Sequence, residues 1–240
     1  MCGRYVRRSD KQKLAEAFHL GKLPPDFVLA PDYNVAPKTF QPVIRLNAET
    51  GERELTQMRW GLIPYWSKDD KIAFKTTNAR AETVATNNVF KDAFKHRHCL
   101  VPADLFYEWQ NLNPADEKRK NTQPYAIGRK DGEPMAFAGL WESWIDKRDG
   151  KPLETFTIIT TDPNALMEPL HDRMPVILPR SDYDRWLAPV DPVRPPVDLL
   201  RPHAAEEMKA WKVDKAVGNV RNVGPGLCME WDGPSDSLFA

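Results

Sequence analysis

The chain has 240 residues, 41% of them apolar and 10% aromatic, enough for one sizeable core. Its 34 Lys and Arg balance 34 Asp and Glu, which excludes a bulk positive field and confines any nucleic-acid site to a local patch. Three cysteines, Cys2, Cys99 and Cys228, are an odd set without CxxC spacing, which argues against a disulfide framework or a cysteine-based zinc site and suits a reducing compartment.

The chain opens on Met1-Cys2-Gly3. Methionine before a small residue is commonly trimmed, and its loss would leave Cys2 with a free α-amine beside a thiol. Such a 1,2-aminothiol forms an imine with an aldehyde and closes a thiazolidine ring. Ordinary pKa values of roughly 8 and about 8.5 keep amine and thiol partly deprotonated near neutral pH. The plainer reading is a cysteine that merely follows the initiator. Arg4, Arg7, Arg8, Asp10 and Lys11 interrupt any signal-peptide run. No stretch approaches the ~20 apolar residues of a membrane span, so a cytoplasmic protein without membrane contact is expected.

Ser9-Asp10-Lys11-Gln12 has the form of a capping box opening a helix that carries Leu14, Ala17 and Phe18, with Gly21 as its stop. After a proline-bearing loop, Pro42 to Leu46 and Glu54 to Trp60 read as a hairpin around Glu49-Thr50-Gly51. Residues 61–78 read as irregular and aromatic, and a short helix is expected from about Asn88 through Phe94. Strands follow at Cys99–Val101, Leu105–Trp109, Tyr125–Ile127, Met135–Trp141 and Phe156–Thr160, with the polar stretch 111–123 as a surface hairpin loop. Asp162-Pro163-Asn164 reads as a helix start, Ser181-Asp182 as another, and Met208–Val213 as a late strand. Strands without regular helical crossovers point to an α+β single domain with a mainly antiparallel, curved sheet and short flanking helices. The domain is expected over 1–228, with 229–240 as a frayed tail.

Three polar clusters interrupt apolar surroundings. Asn78 and Arg80 lie in Thr77-Asn78-Ala79-Arg80-Ala81-Glu82-Thr83. Glu108 lies between Tyr107 and Trp109, and strand alternation puts it on the face of Phe106. Desolvation there would raise its pKa into the working range of a general acid or base. His171 lies in Leu170-His171-Asp172-Arg173-Met174-Pro175, at a helix exit, and could move a proton near neutral pH. An asparagine amide can orient an amine, although asparagine is also an ordinary turn residue. Arg4, Arg80 and Arg173 would clamp phosphate if they converged, and singly each would be a surface ion-pair partner. Trp66 could stack on a base if exposed, and Pro37 could wedge between bases; a core aromatic is the alternative. His96-Arg97-His98-Cys99 places two histidines on one face if it is a strand, but no metal site is expected there. Walker, GxGxxG and GxSxG patterns are absent from the sequence.

Taken in order, Cys2-Gly3-Arg4, Tyr33-Asn34-Val35-Ala36-Pro37, Trp60-Gly61-Leu62-Ile63-Pro64, Asn78-Ala79-Arg80-Ala81-Glu82-Thr83, Phe106-Tyr107-Glu108-Trp109, His171-Asp172-Arg173-Met174-Pro175 and Gly218-Asn219-Val220 resemble the SRAP (SOS response-associated peptidase) family. The resemblance runs from residue 2 to about 228. It implies an open, barrel-like fold and DNA repair in the DNA damage (SOS) response: binding of single-stranded DNA that contains abasic sites, and a covalent thiazolidine link between Cys2 and the abasic aldehyde. It also implies self-removal of Met1 and lyase-like chemistry, with no cofactor and no metal. By the same resemblance Cys2 supplies amine and thiol, Asn78 holds the amine or opened sugar, Glu108 and His171 move protons, and Arg4, Arg80 and Arg173 grip the backbone. Trp66 and Pro37 would displace bases. Ser67 departs from relatives that carry a second aromatic there. A monomer is expected, associated with the nucleoid when bound to DNA if the source is bacterial. Two rivals stand beside this reading. One is an N-terminal-nucleophile amidohydrolase using Cys2, which would release ammonia from glutamine. The other is a non-catalytic single-stranded DNA-binding module.

Overall fold

The computed structural model describes residues 2–21, 23, 28–113, 115, 121–191 and 194–233. Among them the chain forms thirteen strands and three short α-helices. The strands are β1 (Tyr5–Arg7), β2 (Asp32–Val35), β3 (Phe40–Leu46), β4 (Arg53–Trp60), β5 (Asn78–Arg80), β6 (His98–Ala103) and β7 (Leu105–Asn111). They continue as β8 (Thr122–Arg129), β9 (Met135–Ile145), β10 (Pro152–Thr161), β11 (Met174–Pro175), β12 (Ile177–Leu178) and β13 (Met208–Lys212). The helices are α1 (Lys11–Phe18), α2 (Lys91–His96) and α3 (Tyr183–Leu187).

Strands β10, β4, β3, β6 and β9 form a ring, because β9 pairs with both β6 and β10. The β4–β10 pairing is parallel and the others in the ring are antiparallel. The α+β class and the mainly antiparallel curved sheet are as expected, and the barrel is closed where an open one was expected. Closure leaves no free edge on the ring. It also brings strands close at Gly139, where a Cβ would lie 2.8 Å from Cys99 Sγ and 3.1 Å from the Thr157 carbonyl. β5 adds in parallel to β10, with Asn78 opposite Ile158.

A second sheet runs β13–β8–β7–β1–β2. Its strand β1 faces the barrel, since Tyr5 meets Trp60 edge-on at 5.3 Å and Phe137 at 6.0 Å. Cys2, Phe106, Phe156, Ile158 and Met174 fill the same core between the sheets. Each such large apolar side chain stabilises the fold by roughly 1.5–3 kcal/mol. The three α-helices contribute Leu14, Phe18, Phe94 and Trp186 to a separate core against the barrel.

Local chemistry changes several expected boundaries. The first helix is capped by Asp10, whose carboxylate accepts from Lys13 N–H at 2.8 Å, while Ser9 donates its hydroxyl to Asp104 instead. The helix ends at His19, in the left-handed region at φ 50°, before Gly21 is reached. The segment after Asp162 makes turns, not a helix. Asn164 caps it by accepting from Met167 N–H, because the Asp162 carboxylate is taken by Arg173. His96 closes α2, so the strand alternation drawn through His96 and His98 does not hold. Both ring nitrogens of His98 lie 2.7 Å from backbone carbonyls, those of Trp186 and Phe94. Leu112 N–H donates to Asn121 O and closes the loop expected at 111–123, whose residues 114 and 116–120 lie outside the described ones. Of the expected tail, Trp231 N–H donates to Lys212 O at 2.9 Å, and residues 234–240 lie outside the described ones. No helix among the described residues is long and apolar enough to cross a membrane.

Candidate active site

The site is built where β7 leaves the core. Phe106 packs in the core of Cys2 and Tyr107 in the opposite one, while Glu108, 2% exposed, acts on Cys2 from the Phe106 side, in keeping with the expected alternation. Burial pushes the Glu108 carboxyl up to about 7. Tyr107 N–H donates to Arg4 O at 3.0 Å, which lays residues 2–4 antiparallel beside the Glu108 segment. Cys2 is fully buried. Burial pushes its thiol far up, the Glu108 charge adds to the rise, and the Arg4 backbone N–H opposes it. A thiol in this position stays protonated at neutral pH. Met1 lies outside the described residues.

His171 approaches from the other sheet, at the end of the turn that enters β11. Its Nε2 lies 3.7 Å from Glu108 Oε2, and burial pushes the imidazole down. The Arg173 backbone N–H can only donate, and it points at Nδ1 at 3.0 Å. The neutral ring is therefore assigned its proton on Nε2, facing Glu108. Asp172 Oδ1 is also 2.8 Å from Nδ1, a contact that favours the imidazolium when a proton arrives. Nε2 and Oε2 are within reach of proton transfer through one water or a small side-chain movement. Glu108 and His171 line one cleft of about 520 Å³ with Trp109, Asn111, Thr122, Leu170 and Asp172.

Asn78 reaches the same core from β5. It is half-buried, and its Nδ2 donates to the Ile158 carbonyl at 3.4 Å, beside the cluster that holds Cys2. The amide is long-bonded and has a second N–H to offer. Arg80, two residues on, is exposed. The other two arginines are engaged within the protein. Arg4 donates to Asn34 Oδ1 at 2.6 Å and to the carbonyls of Val217 and Gly218. That network joins three of the sequence motifs, because Asn34 also holds the Asn219 and Asn222 carbonyls. Arg173 is 8% exposed and binds both Glu82 oxygens at 2.8 and 3.0 Å, Asp162 at 2.9 Å and the Thr160 carbonyl at 2.7 Å.

Trp66 is 49% exposed, so it is not a core aromatic. Pro37 sits half-buried in the turn between β2 and β3. Ser67 is buried, its carbonyl accepting from Trp144 Nε1 at 2.9 Å, so this position faces inward. The sequence reading did not single out Trp109, Asn111 and Thr122. The signal was there in part: Glu108 pairs with Tyr125 and Asn111 with Thr122, so a register for β7 and β8 would have brought Thr122 to the cleft.

A family model described as SOS response associated peptidase (SRAP) matches residues 1–220. The abasic site processing protein YoqW of Bacillus subtilis is 41% identical over 229 residues, covering 95% of this chain and 98% of that protein. The abasic site processing protein HMCES of Gallus gallus is 33% identical over 223 residues, covering 81% of this chain and 65% of that protein. Among solved structures, a Bacteroides thetaiotaomicron protein superposes with a TM-score of 0.83 at 26% identity, over 96% of this chain and all of the other. On the match over residues 1–220 and the 41% identity over 229 residues, this chain belongs to the SOS response associated peptidase (SRAP) family.

Proposed function

We propose that this protein processes abasic sites in single-stranded DNA by capturing them covalently on Cys2. The observation that carries the reading is that Glu108 lies close enough to buried Cys2 for its charge to raise the thiol, and 3.7 Å from His171, with which it lines a cleft. An abasic deoxyribose in its open form presents an aldehyde. After Met1 leaves, the Cys2 amine adds to that carbon, and loss of water gives an imine. The thiol then adds across C=N: sulfur bonds carbon and the thiol proton goes to nitrogen. The net change is the loss of one water. Burial holds the free thiol protonated, so its proton must leave for the imine nitrogen as sulfur attacks. Glu108, titrating at about 7, can donate to the ring oxygen as the sugar opens and accept from the amine as it attacks. His171 hydrogen-bonds the departing hydroxyl through Nε2–H, and Glu108 returns to that hydroxyl the proton it took from the amine, completing the water. Asn78 orients the amine. Exposed Arg80 and Trp66 meet the strand, Pro37 separates bases, and Arg4 and Arg173 brace the walls from which phosphates are reached.

Self-removal of Met1 belongs to the same reading, since the amine needed for imine formation does not exist before it. An imine left uncaptured would eliminate the 3′ phosphate, so thiol addition turns a lyase-like intermediate into a protective adduct. The protein acts as a monomer, in the nucleoid where the source is bacterial. Mixing it with an abasic single-stranded oligonucleotide and measuring intact mass tests the reading. The expected product is the sum of both partners, lacking Met1 and one water. No adduct from the native chain, or an adduct from Cys2→Ala that survives without borohydride as well as the native one does, overturns it.

A further inference from the structure

Asn34 in β2 and Gly218-Asn219 after β13 belong to two of the motifs spaced along the sequence, and the structure joins them. Asn34 is 6% exposed, and its Nδ2 donates to the carbonyls of Val217 at 3.4 Å, Asn219 at 3.0 Å and Asn222 at 3.0 Å. The segment that supplies these carbonyls is held from beneath as well, where Val217, Leu227 and Cys228 pack with Val6 and Tyr107. It is also closed on itself. Asn222 Nδ2 donates to Ala216 O at 2.8 Å, and Asp214 accepts from Ala216 N–H at 2.7 Å. Residues 214–228 thus form a strap fixed to both β1 and β2.

Arg4 connects this strap to the nucleophile. Its Nη1 donates to Asn34 Oδ1 at 2.6 Å and to Val217 O at 2.9 Å, and its Nη2 to Gly218 O at 3.2 Å. Its backbone works at the other end. The Arg4 carbonyl accepts from Tyr107 N–H at 3.0 Å, and the Arg4 N–H hydrogen-bonds the Cys2 thiol. Once Met1 is lost, Cys2 is the first residue of the chain. Chain ends fray unless they are tied down, and beyond its own packing a first residue is tied only through the residues that follow it. Asn34 Oδ1 is the nearest of the three acceptors around the guanidinium, and the strap locks the amide that carries it. A buried polar network with every member engaged is rigid. Rigidity matters here, because a reacting group displaced by ~1 Å can lose about 10²-fold in rate.

We propose that Asn34 is a positioning residue for Cys2 that acts through Arg4: by holding the guanidinium it fixes the backbone of residues 2–4, and with it the amine and the thiol. This role rests on the covalent reading above. It gives the Arg4 side chain an inward task, since a phosphate would have to displace three acceptors already in place.

The test measures three quantities on the full chain: the capture rate at saturating abasic single strand, the affinity for the unmodified strand, and the melting curve. Asn34→Ala removes the acceptor. It should capture about ten- to a hundredfold more slowly, with affinity for the unmodified strand within about twofold of native. Asn34→Asp keeps an acceptor for Arg4 and loses the amide hydrogens that hold the three carbonyls. It should melt lower than native, as Asn34→Ala does, yet capture within about threefold of the native rate. The rate then follows the acceptor at Arg4 and not the stability. Hydrogen exchange at the Tyr107 amide reads the anchor itself, and should be faster in Asn34→Ala and close to native in Asn34→Asp. Should Asn34→Ala fail to fold, Asn34→Ser takes its place with the same expectations. A native capture rate in Asn34→Ala, an equal loss of rate in Ala and Asp variants, or an affinity that falls as far as the rate overturns the positioning role. Unchanged Tyr107 exchange in Asn34→Ala overturns it as well, whether or not an adduct forms. A native chain that forms no adduct sinks the covalent reading itself, and this role with it.

Discussion

His171 Nε2 and Glu108 Oε2 lie 3.7 Å apart although they come from different sheets, β7 carrying one and the turn into β11 the other. The Glu108 charge also reaches buried Cys2 and helps to raise its thiol. Burial lifts the carboxyl to about 7 and lowers the imidazole, which inverts their ordinary order on the pH scale. In the resting pair the proton therefore stays on the carboxyl and the imidazole is neutral.

Glu108→Gln should slow adduct formation about 10²- to 10⁴-fold and remove a pH inflection near 7. Its effect on stability has the opposite sign. The native carboxyl holds its proton up to about 7, whereas the unfolded chain releases it near pH ~4.3. Native stability therefore falls as pH rises through that window and is not recovered above it. The difference is on the order of 4 kcal/mol above pH 7. The glutamine variant should melt higher than native at pH 8 and equally near pH 4. Equal melting at pH 8 would mean that the carboxyl is not desolvated.

Cys2→Ala keeps an α-amine after Met1 is lost. It should form an imine that borohydride traps but no thiazolidine, and should cut the abasic strand where the native chain protects it. Gel analysis with and without borohydride reads both. An intact strand with no trapped imine would show that the amine is not the nucleophile.

His171→Gln should lower the rate of capture roughly tenfold or more, with strand affinity unchanged within about twofold. Added imidazole should recover part of the rate. Burial holds the imidazole low, so in Glu108→Gln, where the inflection near 7 is gone, no histidine step should appear within the ordinary imidazole range. A step near pH ~6.5 in that variant that His171→Gln abolishes would contradict that direction.

Arg173→Ala removes four donor contacts from a buried guanidinium. Glu82 and Asp162 are partly solvated and can rehydrate, so the loss should be about 2 kcal/mol and not the larger figure for a fully buried pair. Arg80→Ala, on the surface, should leave melting unchanged and flatten the salt dependence of single-strand binding by roughly 0.7 in log–log slope. Thermal melting and salt titrations of both variants separate a brace from a phosphate contact.

Gly61→Ala should destabilise by about 1–3 kcal/mol. Gly61 has φ 117°, and a Cβ would meet the Ala73 carbonyl at 2.7 Å, forcing apart the base of the aromatic loop. Weaker strand binding together with a lower Tm is expected, and an unchanged Tm would show that the loop base can yield.

Much of this protein was legible in its residues. Alternation around Phe106 and Glu108, and the apolar runs of the strands, depend on period-2 geometry that any pairing preserves. The spaced motifs from Cys2 to Gly218 carried the family, because they record which side chains must be present. Caps and helix ends were less legible, since Ser9 and Asp162 had distant partners in Asp104 and Arg173 that local patterns cannot reveal. Only the tertiary structure decided that the barrel closes, because closure depends on β9 meeting two strands at once. It also decided that Arg4 and Arg173 brace the fold while Arg80 stays exposed, since a guanidinium goes to whichever acceptors the fold brings within reach. The sequence by itself determined that Cys2 could act through amine and thiol. Burial against Glu108, within reach of His171, is a property of long-range packing, and that packing keeps the thiol protonated beside a carboxyl that titrates near neutrality.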